Sequence, residues 1–152
     1  MATGLVNGTD LLLRVGGSDS TESVVAYATT CSLEISMDEI DQTNKDSEGW
    51  KEIIGGLRSW NVSTDALYQN EGDGTSALDF KDFWNRVGGP SDGRTPVYIE
   101  MAVRNESSAH NNVYYHGKGY VTSLSLTGGT EDQATYSVSI TGSGKLEEAD
   151  TA

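Results

Sequence analysis

The chain has 152 residues, with 10 Lys and Arg against 23 Asp and Glu and a formal net charge of −13, a balance that excludes tight nucleic-acid binding because phosphate contacts need clustered cations. Its 36% hydrophobic content and 18 glycines predict one strand-and-turn domain over residues 1–152, long enough to remove roughly two thirds of its unfolded surface from water. No apolar run is long enough to span a bilayer, and Met1-Ala2-Thr3-Gly4 lacks the basic and apolar regions of a secretory signal, so a protein without a membrane anchor is expected, one that stays where it is made.

Residues 1–8 have no periodicity and predict a flexible arm. Thr9 to Val15 and Ser23 to Ala28 read as strands joined by a turn at Gly16 to Ser20. A longer strand follows from Thr30, where Cys31, Leu33, Ile35 and Met37 alternate with Ser32, Glu34 and Ser36. Period two puts the first set on a buried face and the second on a polar one. Cys31, the lone cysteine, reads there as a small buried hydrophobe. The acidic stretch Asp38 to Gly49 predicts an unusually long hairpin loop, followed by a strand around Trp60; loops of this length inside compact domains tend to be functional or disordered.

After Ala66-Leu67-Tyr68 and a turn-rich run at Gln69 to Gly74, the period changes. Phe80, Phe83, Trp84 and Val87, extended back by Ala77, predict a helix over about residues 76–87 whose aromatic face covers the sheet, with Thr75 or Ser76 as cap and Gly88-Gly89-Pro90 as stop. Pro96 to Arg104 alternates as a strand, Asn105 to Asn112 is a polar loop, and Val113 to Leu126 reads as a strand bent or bulged near Gly117-Lys118-Gly119. A turn at Thr127 to Asp132 leads to Thr135 to Thr141, with Tyr136, Val138 and Ile140 inward. Residues 145–152 predict a charged, mobile tail.

No constellation of catalytic residues is present. His110 and His116 lie in or beside a polar hairpin and read as solvated, without a nucleophile motif near either. The loop acids Asp38, Asp41, Asp46 and Glu48 lack the spacing of an EF-hand, and one cysteine with two histidines makes no zinc set. No enzyme activity, metal or cofactor is therefore expected. Trp50, Tyr114 and Tyr115 could stack on sugar rings, which leaves a carbohydrate-binding β-sandwich as the reading from a different class, behind ordinary core or interface packing.

Three stretches resemble the major tail protein, or tail tube protein, family of long-tailed bacteriophages. The first is Thr30-Cys31-Ser32-Leu33-Glu34-Ile35-Ser36 with Asp41, Lys45-Asp46, Gly49-Trp50 and Trp60. The second is Gly117-x-Gly119-x-Val121-Thr122-Ser123-Leu124-Ser125, and the third Glu131-Asp132-x-Ala134 through Gly142-Ser143-Gly144. The resemblance implies a mainly β, tail-tube-type sandwich or barrel with one helix, assembling as six-membered rings stacked into a hollow tube through which DNA passes without specific binding. It also implies a place in the virion tail, assembled in the bacterial host cytoplasm, and partners such as terminator, tape measure, and baseplate or distal tail proteins. Gene transfer agents and contractile injection systems use related inner tubes. On this footing Asp38, Asp41, Lys45, Asp46, Glu48 and Lys51 become candidate inter-ring contacts, Lys45 and Lys51 pairing with acids of an adjacent subunit. Ser32, Glu34, Ser36, Ser59, Asn61, Ser63, Ser137, Ser139 and Thr141 become candidates to face the lumen.

Overall fold

A computed structural model describes residues 8, 11–16, 23–25, 28–68, 80–88, 95–103 and 113–150. Its strands are β1 (Leu11–Gly16), β2 (Ser23–Val24), β3 (Ala28–Asp41), β4 (Ile53–Leu67), β5 (Val97–Val103), β6 (Val113–Thr127), β7 (Thr135–Gly142) and β8 (Glu147–Asp150), with one helix, α1 (Phe80–Val87), between β4 and β5. They form a single antiparallel sheet in the order β2-β1-β5-β6-β7-β4-β3, with β8 added to β6. Among the described residues no helix is long and apolar enough to cross a membrane.

The sheet rolls up because one face is apolar along almost every strand. Leu13 and Val15, Val62 and Ala66, Val97, Ile99 and Met101, and Tyr136, Val138 and Ile140 are all buried on it. Rolling brings β1 back toward β3, where the Cys31 thiol lies 3.6 Å from the Leu11 carbonyl oxygen. Burial pushes the Cys31 thiol up from its ordinary pKa, away from the thiolate that would be reactive, so it acts as the small apolar filler expected. At one end of the roll, α1 packs Phe80 and Phe83 edge-on or tilted against Tyr136, at ring distances of 5.7 Å and 6.4 Å. The helix thereby plugs one end of the core.

Several expectations are corrected. The loop expected at Asp38 to Gly49 is shifted along the chain to residues 42–52, since β3 runs on to Asp41 and β4 starts only at Ile53. The apolar face of β3 is buried only in part: Cys31 and Leu33 pack on the core, whereas Ile35 and Met37 are 60% and 54% exposed, because β3 outruns the body of the sheet. On α1, Trp84 departs from the buried stripe and is exposed. The bulge expected at Gly117 to Gly119 lies instead between Val121 and Ser123, in the ladder with β7; β6 pairs with β5 without interruption from Tyr114 to Gly119. The supposed mobile tail contains β8, which pairs with Val113 to His116. His116 belongs to β6, is half-buried beside Tyr114, and its Nε2 lies 3.9 Å from a Glu147 carboxylate oxygen. Of the strand expected over Ser23 to Ala28, β2 covers Ser23–Val24 and Ala28 opens β3, while residues 26–27 lie outside the described residues. Expectations for residues 1–7, 9–10, 17–20, 69–79 (with the helix cap and its first turn), 89–90, the whole 105–112 loop with His110, and 151–152 lie outside the described residues.

Candidate assembly surfaces

The nine residues predicted to share a polar face come together on one surface. The registers align Ser36 with Ser59, Glu34 with Asn61, and Ser32 with Ser63 across β3 and β4. They continue Asn61 to Thr141 and Ser63 to Ser139 across β4 and β7. All nine are exposed except Ser139, which is half-buried. Residues in register on one face are close neighbours, and here they bond to one another: the Ser32 and Ser63 hydroxyls are 2.6 Å apart and those of Ser36 and Ser59 2.8 Å apart.

The structure extends this face beyond what alternation revealed. Ser123 and Ser125 of β6 stand opposite Ser139 and Ser137, and the Thr122 hydroxyl is 3.1 Å from that of Thr141. The one-residue shift after Val121 hides this membership, since counting by twos along β6 puts these residues on the wrong side. Asp65 joins the same face opposite Ser137. Its carboxylate accepts hydrogen bonds from the Ser137 and Thr30 hydroxyls, which hold its pKa below the ordinary carboxylate value. The result is a four-stranded wall of mostly short polar side chains, with the exposed Tyr120 opposite Thr141 as its one aromatic in these paired rows and Glu34 and Asp65 as their charged members.

The second surface is an arm. β4 pairs with β7 only from Asn61 to Leu67, while its pairing with β3 continues out to Asp41 and Ile53. Residues 53–59 and 36–41 therefore leave the body as a two-stranded ribbon, about 23 Å long at 3.3 Å per residue. Trp60 sits at the fork. Its indole N–H donates to the Gly144 carbonyl at 3.0 Å, and its ring lies so close over Gly117 and Gly142 that a Cβ on Gly117 would stand 2.7 Å from it. These glycines serve close approach rather than a bend. A register shift between Met37 and Glu39 adds an irregularity just beyond the fork.

The arm carries the exposed apolar residues Ile40, Ile53, Ile54 and Leu57, the last 81% exposed. Sequence alone would assign such residues to a core; their exposure becomes visible only once β4 is seen to outrun β7. The tip is internally tied. Asp41 accepts from the Thr43 backbone N–H at 2.8 Å, Asn44 from that of Asp46 at 2.8 Å, and the buried Ser47 backbone carbonyl from Trp50 N–H at 2.8 Å. Glu48 and Gly49 have φ of 51° and 85°, a left-handed pair that turns Trp50 outward, leaving it 78% exposed. Of the six candidate contact residues, Lys51 bonds within its own chain to Glu39 at 3.0 Å. Asp38, Asp41, Lys45, Asp46 and Glu48 are exposed along the ribbon and its tip. Tyr114 is half-buried and Tyr115 only partly exposed, so neither forms a platform with Trp50, which lies on the arm. Among the described residues no cluster of three acidic, histidine or cysteine side chains could hold a metal ion.

A family model described as phage tail tube protein matches residues 5–85, just over half of the 152 residues. The fold is similar to the tail of an empty gene transfer agent particle refined with C6 symmetry, with a TM-score of 0.74 and 18% identity over 95% of this chain and 99% of that one. It is also similar to the SPP1 tail tube, at a TM-score of 0.70 and 11% identity over 96% and 78%. A chain of the anti-feeding prophage baseplate gives a TM-score of 0.68 and 8% identity over 98% and 97%. No curated protein matches the sequence. At these identities the likeness is one of fold.

Proposed function

Because the chain belongs to the phage tail tube protein family, we propose that it is the repeating structural subunit of a tail tube, forming six-membered rings that stack into a conduit for DNA. The observation that carries this reading is the four-stranded polar wall with two open edges. Among the described residues no ladder covers the outer edge of β3, nor that of β6 beyond Gly119. An exposed edge is a template for another strand. In the order β6-β7-β4-β3 directions alternate, so under cyclic symmetry β6 of one copy meets β3 of the next antiparallel, and a continuous barrel closes.

Six copies of four strands give a barrel about 115 Å around, hence about 37 Å across at the backbone before strand tilt widens it. Short serine and threonine side chains leave that bore open to a DNA duplex. The core occupies the other face, so the polar one is the face available to line the channel. With several of its hydroxyls paired to one another and the charges of its paired rows negative, it offers phosphate little to hold, and repulsion screened within about 8 Å at physiological salt hardly impedes passage. The arms then bridge successive rings. In this reading the subunit has no catalytic role, resides in the virion tail and meets the proteins that start and end the tube. The fold likeness to gene transfer agent and anti-feeding prophage chains supports a related setting, a gene transfer agent tail or an injection-system tube.

Negative-stain microscopy of the purified chain tests this. Hollow tubes with sixfold end views are expected; a 16.2 kDa monomer persisting at high concentration overturns it, and glycan binding by such a monomer returns the sugar-binding reading.

A further inference from the structure

Apart from Tyr115 and Tyr120 on β6 and Ile35 and Met37 where the arm leaves the body, the exposed large apolar side chains among the described residues fall into two groups at opposite ends of the long strands. One is the arm. The other combines Leu126, 50% exposed, with Trp84, 51% exposed on α1. Leu126 stands opposite Tyr136, whose ring packs against Phe80 and Phe83 of α1, so the helix and Leu126 share that end of the body. The fork at Gly142 lies six residues along β7 from Tyr136, about 20 Å away, and the arm continues outward from there. An arm cannot reach the helix end of its own chain. A second copy displaced along the strand direction brings the two together.

Charge matches as well. Between Asp38 and Glu52 the arm has six carboxylates and two lysines, whereas α1 has Lys81 and Arg86 against Asp82 alone, a net cationic helix in a chain of charge −13. The geometry points to α1 and Leu126 as the surface that receives the arm of a second copy in the next ring. Trp84 and Leu126 take its apolar side chains, and Lys81 and Arg86 face its carboxylates. This rests on the tube reading and names the arm's partner surface. The contact joins two different patches, so it repeats along an axis without closing on itself.

Trp84→Glu and Leu126→Glu change exposed side chains and should leave thermal unfolding of the monomer unshifted while tubes give way to single rings. Lys81→Glu combined with Arg86→Glu should do the same, and adding Asp46→Lys with Glu48→Lys should restore tubes. Cross-linking supplies a readout that survives any folding defect: in a Cys31→Ser background, an Ile54→Cys chain mixed with a Trp84→Cys chain should give disulfide-linked dimers only when both are present. Tubes of normal length from both glutamate variants, or no such link within tubes, overturns this assignment and leaves the tube reading standing. A wild-type chain that forms no tubes overturns the tube reading itself.

Discussion

Trp60 shows how one side chain can set the geometry of a whole element. It is buried although β4 leaves its β7 neighbour at that point, and it remains in place because Gly117 and Gly142 present bare backbone to its ring and Gly144 accepts its N–H. Gly142→Ala would push a methyl into the indole. Overpacking of this kind costs about 1–3 kcal/mol, which chemical denaturation of the monomer should read as a lower midpoint. Asp65 gives the pH dependence. Its folded pKa lies below the unfolded value of about 3.9, so its contribution is present above that value and is lost as pH falls through the folded pKa. The group is solvent-exposed, which limits the effect to under about 1 kcal/mol. Wild type should exceed Asp65→Asn in stability at pH 7, and the difference should vanish once the pH has fallen below the folded pKa; a gap unchanged by pH would show the two hydroxyl contacts to be inert.

At the scale of the element, the arm inverts the usual rule for an isolated hairpin, which is marginal in water unless one face is covered. It projects apolar side chains on a ribbon paired only with itself, and its order comes from the anchored base and the tied tip. Such an element gains its free energy on contact with something else. On the proposed tube, Lys45 at the exposed tip meets an acid of the adjacent subunit, so Lys45→Glu should shorten or abolish tubes while leaving the circular dichroism of the monomer unchanged. Tubes of wild-type length would place the contact elsewhere on the arm. The wall behaves oppositely: three pairs of its hydroxyls bond to each other within the sheet and the rest are mostly short and polar, so it gains little by touching anything, the property wanted of a channel lining.

The whole molecule is a rolled sheet with a plugged end, a projecting arm and open edges, and polarity along the strands follows from having the helix at one end and the ribbon at the other. Much of this was legible in the sequence. Period-two alternation places Ser32, Glu34 and Ser36, and Tyr136, Val138 and Ile140, on their correct faces, because strand geometry leaves only two sides; the helix announces itself by its change of period. What alternation cannot express is how far each strand continues beside its neighbours. That β4 outruns β7, so that Ile53, Ile54 and Leu57 face water, and that β8 docks on β6, depend on pairings between residues distant in the chain. Those were decided by tertiary structure alone, since an apolar side chain is the same whether a second strand covers it or not.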